Sequence, residues 1–577
     1  MSRIARPLWL LIAILAVIAL MACAPAAQPT AAPAQPTSAP AQPTSAPAQP
    51  TAAPEQPTQA PAPTEAPQPT QAPAVGSAQD TIVWVRNIDD VVSMDPAEAY
   101  EFSGWLAVHS MYDTLVKFEG KDLTNLKPGL ADKWDVKDAG DHWELTFTLK
   151  DGVKFASGNP LTSADVVYSF QRAIRLNKSP AFLYTETGGL KEDSITAPDA
   201  KTVVLKMPKT SSPAEFLNVL TAPPLSIVDS VEVKKHETTV DGKSDDGNTW
   251  LKDHSAGSGP YMLDHWTKDV EYLLKANPNA AVQPKTPQIL LQHMPEAANQ
   301  QSVLEKGDAD IAQDLTPEQI TALQSNKDIK TLKAGNLQLF YIGMNAGMKP
   351  LDDNRVREAI RYAIDYDAIA NELLSGNVQI MQTIIPNGLL GANTDIIFKR
   401  DVEKAKSLMK EAGVDSFQID LLTLTGNQGL VPMADLAAKI QADLADIGIT
   451  VNVKQQAAAE LLATYRASKA PMVMLFWGPD YPDPNTNATP FSDINAGSIA
   501  KRNNWKDDKA IQMAAAAKLE SDTAKRVADY KELTDYVAHN GPYAVLFQPQ
   551  NLFALRANVT GFDWNPMGYA DLWTIGK

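Results

Sequence analysis

Residues 143–168 read WELTFTLKDGVKFASGNPLTSADVVY, and the period of the pattern changes once along them. Trp143 to Leu149 alternates apolar and polar side chains, which predicts a half-buried strand. Asp151-Gly152 then predicts a turn, because glycine tolerates the left-handed backbone that tight turns use. From Leu161 the pattern becomes helical and predicts a helix through Ile174, with Thr162 or Ser163 as its N-cap. Strand, turn and helix within 26 residues set the expectation of packed α/β layers.

The same alternation of elements extends outward. Asp80–Arg86 and Val203–Met207 have strand spacing. Asp353-Asn354 opens a helix whose apolar face carries Val356, Ile360, Ala363 and Ile364. Glu403–Ala412 reads as a helix stopped by Gly413 and followed by a strand over Phe417–Leu424. Met433–Ile447 reads as a helix ending at Gly448, and Thr450–Val453 as a strand. Met472–Phe476 is a fully apolar strand followed by a Pro/Asp-rich turn, and Ala510–His539 is mostly helical. Thr239–Asn248 is a polar loop. No regular repeat of solenoid or barrel type is present.

The N-terminal end differs in kind. Arg3 and Arg6 precede an apolar run from Leu8 to Ala22, the pattern of a secretory signal and short for a membrane span. Leu20-Met21-Ala22-Cys23 resembles a bacterial lipobox, in which the cysteine receives lipid and becomes the mature N-terminus; an uncleaved anchor helix is the alternative. Residues 24–76 hold 15 of the 42 prolines and only two charges, Glu55 and Glu65. Such a segment has no apolar face to bury, so a disordered tether is expected, with an O-glycosylated stalk as the alternative.

The 577 residues carry 51 Lys+Arg against 68 Asp+Glu, a net charge of −17. The signal contributes +2 and the linker −2, so the excess of acid belongs to the body after residue 76. A net acidic body argues against nucleic acid as a partner. Cys23 is the single cysteine, which excludes an intrachain disulfide and a thiolate zinc cluster. The seven histidines are scattered without an i, i+4 pair, and no cofactor or metal is expected. Asp480, Asp483, Asn485 and Asn487 make only a loose oxygen set that lacks the glycine and terminal glutamate of a calcium loop. No Gly-x-Ser-x-Gly elbow, His-Glu-x-x-His or phosphate loop occurs, so nothing positive supports an enzyme.

Eight blocks in order resemble one known family: Ser93-Met-Asp-Pro96, Met111–Val116, Pro128–Trp134, residues 143–168, Gly257–Tyr261, Gly307–Ile311, Arg355–Asp365 and Trp477–Asn485. They are similar to the extracytoplasmic solute-binding proteins of ABC importers for oligopeptides, dipeptides and nickel, known as family 5. The resemblance implies an α/β fold, a two-lobed periplasmic-binding-protein-like trap with an inserted third subdomain and two crossover strands as hinge. Carried over, lobe I is 77–112, 256–338 and 547–577, the insert is 113–255, and lobe II is 339–546. Residues 1–22 are the signal and 23–76 the lipidated tether. The crossings are expected near Leu337–Gly343 and Val545–Phe553.

The resemblance also implies a site. Asp480 stands where relatives pair an aspartate with the ligand's α-ammonium, and a carboxylate suits a cation in a closed cleft. Main-chain groups near Phe476, Trp477 and Gly478, and near Tyr100, Glu101 and Phe102, are expected to pair with an extended ligand. Trp477 and Tyr481 are candidates for side-chain pockets or for stacking on sugar rings; Trp105, Trp266 and Trp505 are weaker ones, because large aromatics mostly serve the core. Asp480 and Asp483 have a second reading as residues that only shape a Pro-rich turn. The arginine that clamps the carboxylate in dipeptide binders is absent from the helix beginning at Met433, which favours longer peptides or a solute without a carboxylate. The reading is a monomeric lipoprotein, anchored outside the cytoplasmic membrane through Cys23, that passes a peptide-like solute to an ABC permease with its ATPase. An oligosaccharide binder, or a hydrolase on this scaffold, is the alternative.

Overall fold

The computed structural model describes residues 80–577. The signal, Cys23 and the tether lie outside the described residues. Thr81–Arg86 is buried along its whole length and pairs in parallel with Gln288–His293 on one side and Ile311–Ala312 on the other. These strands belong to a twelve-stranded sheet whose far end is formed by Leu339–Met344, Met472–Trp477, Phe417–Leu424 and Ile449–Gln456.

The two halves of that sheet are joined by one long strand, Tyr543–Arg556. Its first part pairs with Leu339–Met344, and its last part pairs with Ile329–Gly335. Between the registers Gly335↔Gln550 and Phe340↔Phe547 the partner chain breaks at residues 336–338. Side chains replace the ladder there: Gln548 Nε2 donates to Asn336 O at 2.7 Å, and Asn551 Nδ2 donates to Gly335 O at 3.0 Å. Few strands cross, and Pro549 has no N–H to give, so small backbone rotations at this point move large bodies. With the run from Ile329–Gly335 into Leu339–Met344 beside it, this strand makes the pair of crossover strands of a two-lobed fold.

The insert builds a separate antiparallel sheet in the order Ala131–Asp138, His142–Leu149, Thr202–Pro208, Ile195–Asp199. In His142–Leu149 the alternate residues Leu145, Phe147 and Leu149 are buried, as the sequence pattern predicts. The helix that follows runs Ser163–Leu176 with Thr162 as N-cap, and the Asp165 carboxylate accepts from Thr162 N–H and Oγ1, both at 2.8 Å. Val356, Ile360, Ala363 and Ile364 are fully buried, the first three on the helix Asn354–Ala363 and Ile364 as its C-cap. The expected helical stretch to His539 is instead two helices, Asp508–Leu519 and Thr523–Asn540. Asp522 separates them because its side chain caps the second, accepting from Lys525 N–H at 2.8 Å.

Several motif residues prove to be structural. Asp95 of the Ser-Met-Asp-Pro block makes a two-pronged ion pair with Arg172 on the insert's helix, at 2.8 and 2.5 Å, both buried. Arg357 and Arg361 of the Arg355–Asp365 block reach the main-chain carbonyls of His539, Asn540, Gly541 and Tyr543. Two guanidinium groups thus satisfy carbonyls at the C-terminal end of the helix Thr523–Asn540, where cations are favoured. Burial lowers Arg361 to about 9 and Arg357 to about 10.

Candidate functional site

Met472–Trp477 is a central strand that emerges at the cleft. It pairs with Leu339–Met344 over its whole length, from Met344↔Met472 to Leu339↔Trp477. On its other side, pairing with Phe417–Leu424 runs only from Met472 to Met474. Leu475, Phe476 and Trp477 therefore keep one edge out of the sheet, the geometry that a main-chain ligand needs. Phe476 is half-buried against Phe340, with ring centroids 5.5 Å apart. Gly478 follows, so close to Gln338 that a Cβ there would lie 3.3 Å from Gln338 Cγ.

Asp480 stands at the tip of this turn. Tyr100 Oη donates to its Oδ1 at 2.7 Å, a bond that joins residues 380 positions apart across the cleft. Among the described residues Asp480 forms no ion pair; its N–H donates to Thr486 Oγ1 at 3.1 Å. Burial pushes its carboxyl above the ordinary 3.8, and the Tyr100 hydrogen bond opposes that shift only in part. The Tyr100 hydroxyl is pushed up by burial and by Asp480, so it stays protonated and acts as a donor. A desolvated carboxylate without a cation is poised for one.

Asp483, three residues on, is arranged otherwise. It is fully buried and takes both arms of Arg526 at 2.9 Å, while Asn218 Nδ2 donates to its Oδ2 at 2.8 Å. Tyr481 is 6% exposed and packs into the core of the insert, with Oη donating to Glu215 Oε1 at 2.7 Å. Tyr481 thus faces protein rather than open cleft, because Glu215 offers a buried acceptor that a ligand pocket would lack. Trp105 and Trp505 are buried as well, at 2% and 5%. Trp477 is half-buried and its Nε1 donates to Thr486 O at 3.2 Å.

On the facing side, the helix Phe102–Met111 begins one residue after Glu101. Glu101 Oε2 accepts from Tyr100 N–H at 3.1 Å, and Glu101 O accepts from Trp105 N–H. Two main-chain groups expected to meet a ligand are thus already engaged by this helix start. Phe102 remains 42% exposed, and with Pro479 it walls a cavity of about 180 Å³. The structure brings Tyr100, Phe102 and the Trp477–Asp480 turn to one place. It adds residues that the sequence reading missed: Arg86, Gln313, Gln338 and Trp564 line the same cavity. The signal available for Arg86 is its place at the carboxyl end of an apolar strand, where open α/β sheets bind ligands.

Glu215 gives this interface a pH dependence. Burial first, and the nearby Asp483 second, push its carboxyl above 4.5. A carboxyl whose pKa is higher folded than unfolded contributes stability in full below about pH 4.5 and loses it as pH rises through the raised value. Glu215→Gln keeps an acceptor for Tyr481 and Asn485. It is expected to flatten the fall in melting temperature between pH 4.5 and neutrality; an unchanged pH slope would remove Glu215 from this role.

The two-lobed α/β fold is that of a solute-binding protein. The chain matches the family of bacterial extracellular solute-binding proteins, family 5 middle region, over residues 125–498, and it belongs to that family. It is 28% identical over 484 residues to the probable D,D-dipeptide-binding periplasmic protein DdpA of Escherichia coli, across 83% of this chain and 90% of that one. The periplasmic binding protein DppA of Helicobacter pylori, solved with the peptide STSA, is 25% identical with a TM-score of 0.68, covering 86% of this chain and 98% of that one. HbpA2 of Haemophilus parasuis shares the fold at a TM-score of 0.76 and 24% identity, covering 86% and 99%. The protein is thus an extracellular-type solute-binding protein of that family, not an enzyme. Among the described residues no helix is long and apolar enough to cross a membrane.

Proposed function

We propose that the protein captures a peptide-like solute between its lobes and presents it, as a monomer, to an ABC permease. The observation that carries this reading is the Asp480 carboxylate, desolvated, without an ion pair among the described residues and held by Tyr100 from across the cleft. A ligand ammonium would complete that charge, and the open edge at Leu475–Trp477 would pair with the ligand main chain whatever its side chains. The related proteins named for dipeptide binding, or solved with a peptide, support the same class. Binding shifts an open–closed equilibrium by the ligand's preference for the closed form. The radius of gyration in small-angle scattering is expected to shrink on adding an oligopeptide mixture; no compaction and no thermal shift with any peptide would count against the reading.

The anchor forms part of the proposal. Cys23 would carry the lipid, and residues 24–76 would tether the body outside the cytoplasmic membrane. A radiolabelled fatty acid fed to cells is expected to label the wild-type protein and leave Cys23→Ser unlabelled; equal labelling of both would refute lipidation at that residue.

A further inference from the structure

Three residues that line the cavity beside the Asp480 turn each hold a buried polar atom without a hydrogen-bond partner among the described residues: Arg86 Nη1, Gln313 Oε1 and Trp564 Nε1. They come together through the sheet. Val85 pairs with Ala312 in parallel register, so Arg86 and Gln313 are the next residues at the carboxyl ends of two adjacent strands. Arg86 is 7% exposed, and among the described residues its side chain makes one hydrogen bond, from Nε to Asn87 O at 3.3 Å. It forms no ion pair with the nearby acids. Asp314 Oδ2 accepts from Asn87 N–H at 2.6 Å, and Asp90 Oδ2 accepts from Ser103 N–H at 3.3 Å. A buried guanidinium without a counter-charge is costly, and protein interiors rarely tolerate it unless something else completes it.

We infer that this cavity is the subsite for the solute's anionic group, with Arg86 as its charge partner, Trp564 Nε1 as a second donor, and Gln313 accepting from the ligand. The inference rests on the peptide reading above and narrows it. The ligand class becomes a short zwitterion, its ammonium on Asp480 and its carboxylate on Arg86. Room for about 180 Å³ corresponds to about six waters, or one small terminal residue with its carboxylate. The carboxylate clamp missing from the helix at Met433 is thus supplied from the opposite lobe. A guanidinium suits this role because its planar fork matches a carboxylate.

The test compares a mixture of L-di- and tripeptides with the same mixture as C-terminal amides, by thermal shift and titration calorimetry on the full chain. The amides are expected to bind wild type about 30-fold more weakly. In Arg86→Gln the free acids should fall to the level of the amides, so that discrimination nearly vanishes, while Arg86→Lys should restore part of it. Equal binding of acids and amides to wild type would overturn the subsite and leave the peptide reading intact, Arg86 then being solvated by water alone. That arm uses unmutated protein, so it decides the matter even where a variant fails to fold. Retained discrimination in a folded Arg86→Gln would also overturn it. Binding of neither mixture to wild type would overturn the peptide reading itself.

Discussion

Asp480→Asn is expected to weaken binding of a peptide with a free N-terminus by about 100-fold, ~3 kcal/mol, while leaving the ligand-free protein at least as stable. The two halves of that expectation share one cause. Burial of Asp480 disfavours its charge, as its raised pKa records, and among the described residues no cation offsets the cost. Asparagine keeps an acceptor for Tyr100 Oη and removes the buried charge, so the empty protein loses nothing. A bound ammonium loses its counter-charge. The same carboxyl sets a pH trend: affinity for a cationic group should fall as pH drops through the raised pKa, because only the ionised form pairs. Calorimetry on wild type and Asp480→Asn across acidic to neutral pH checks both parts; a destabilised variant with unchanged affinity would make Asp480 a residue of the turn and nothing more.

Asp483→Ala is expected to do the reverse, costing about 3–5 kcal/mol of stability. Removing that carboxylate leaves the Arg526 guanidinium, itself 4% exposed, buried without its partner, and strips Asn218 of its acceptor. The loss should appear as a lower denaturation midpoint in urea. Replacing both partners, as Asp483→Leu with Arg526→Met, should recover much of it, since the penalty comes from the orphaned charge rather than from the lost pair. A single variant as stable as wild type would contradict the buried ion pair. Two aspartates three residues apart in one turn are thus separated by experiment, one acting on ligand and one on fold.

Local pattern carried much of the architecture. The alternation at Trp143–Leu149, the cap at Thr162 and the strand at Phe417–Leu424 are where the period of the sequence places them. Each depends on neighbours within a few residues, so the sequence contains the whole cause. The lipobox-like cysteine and the Pro-rich segment are likewise properties of composition. The turn that carries Asp480 follows a fully apolar strand, a common place for a ligand loop, but its reading as an ammonium partner comes from the family resemblance; the pattern alone favours a residue that shapes a Pro-rich turn.

The division of labour among side chains was not legible. Tyr481 and Asp480 are adjacent, yet Tyr481 is buried against the insert because Glu215, remote in sequence, holds its hydroxyl. Arg86 ends an apolar strand, and an arginine there reads equally as a solvated strand end; only the parallel neighbour with Gln313 and the arrival of Trp564 from the C-terminal segment bury it. Alternation, capping and a lipobox-like motif are short-range, and the chain specifies them residue by residue. Desolvation and pairing of charge depend on which distant segments close over a group, and that is settled only when the lobes and the insert pack.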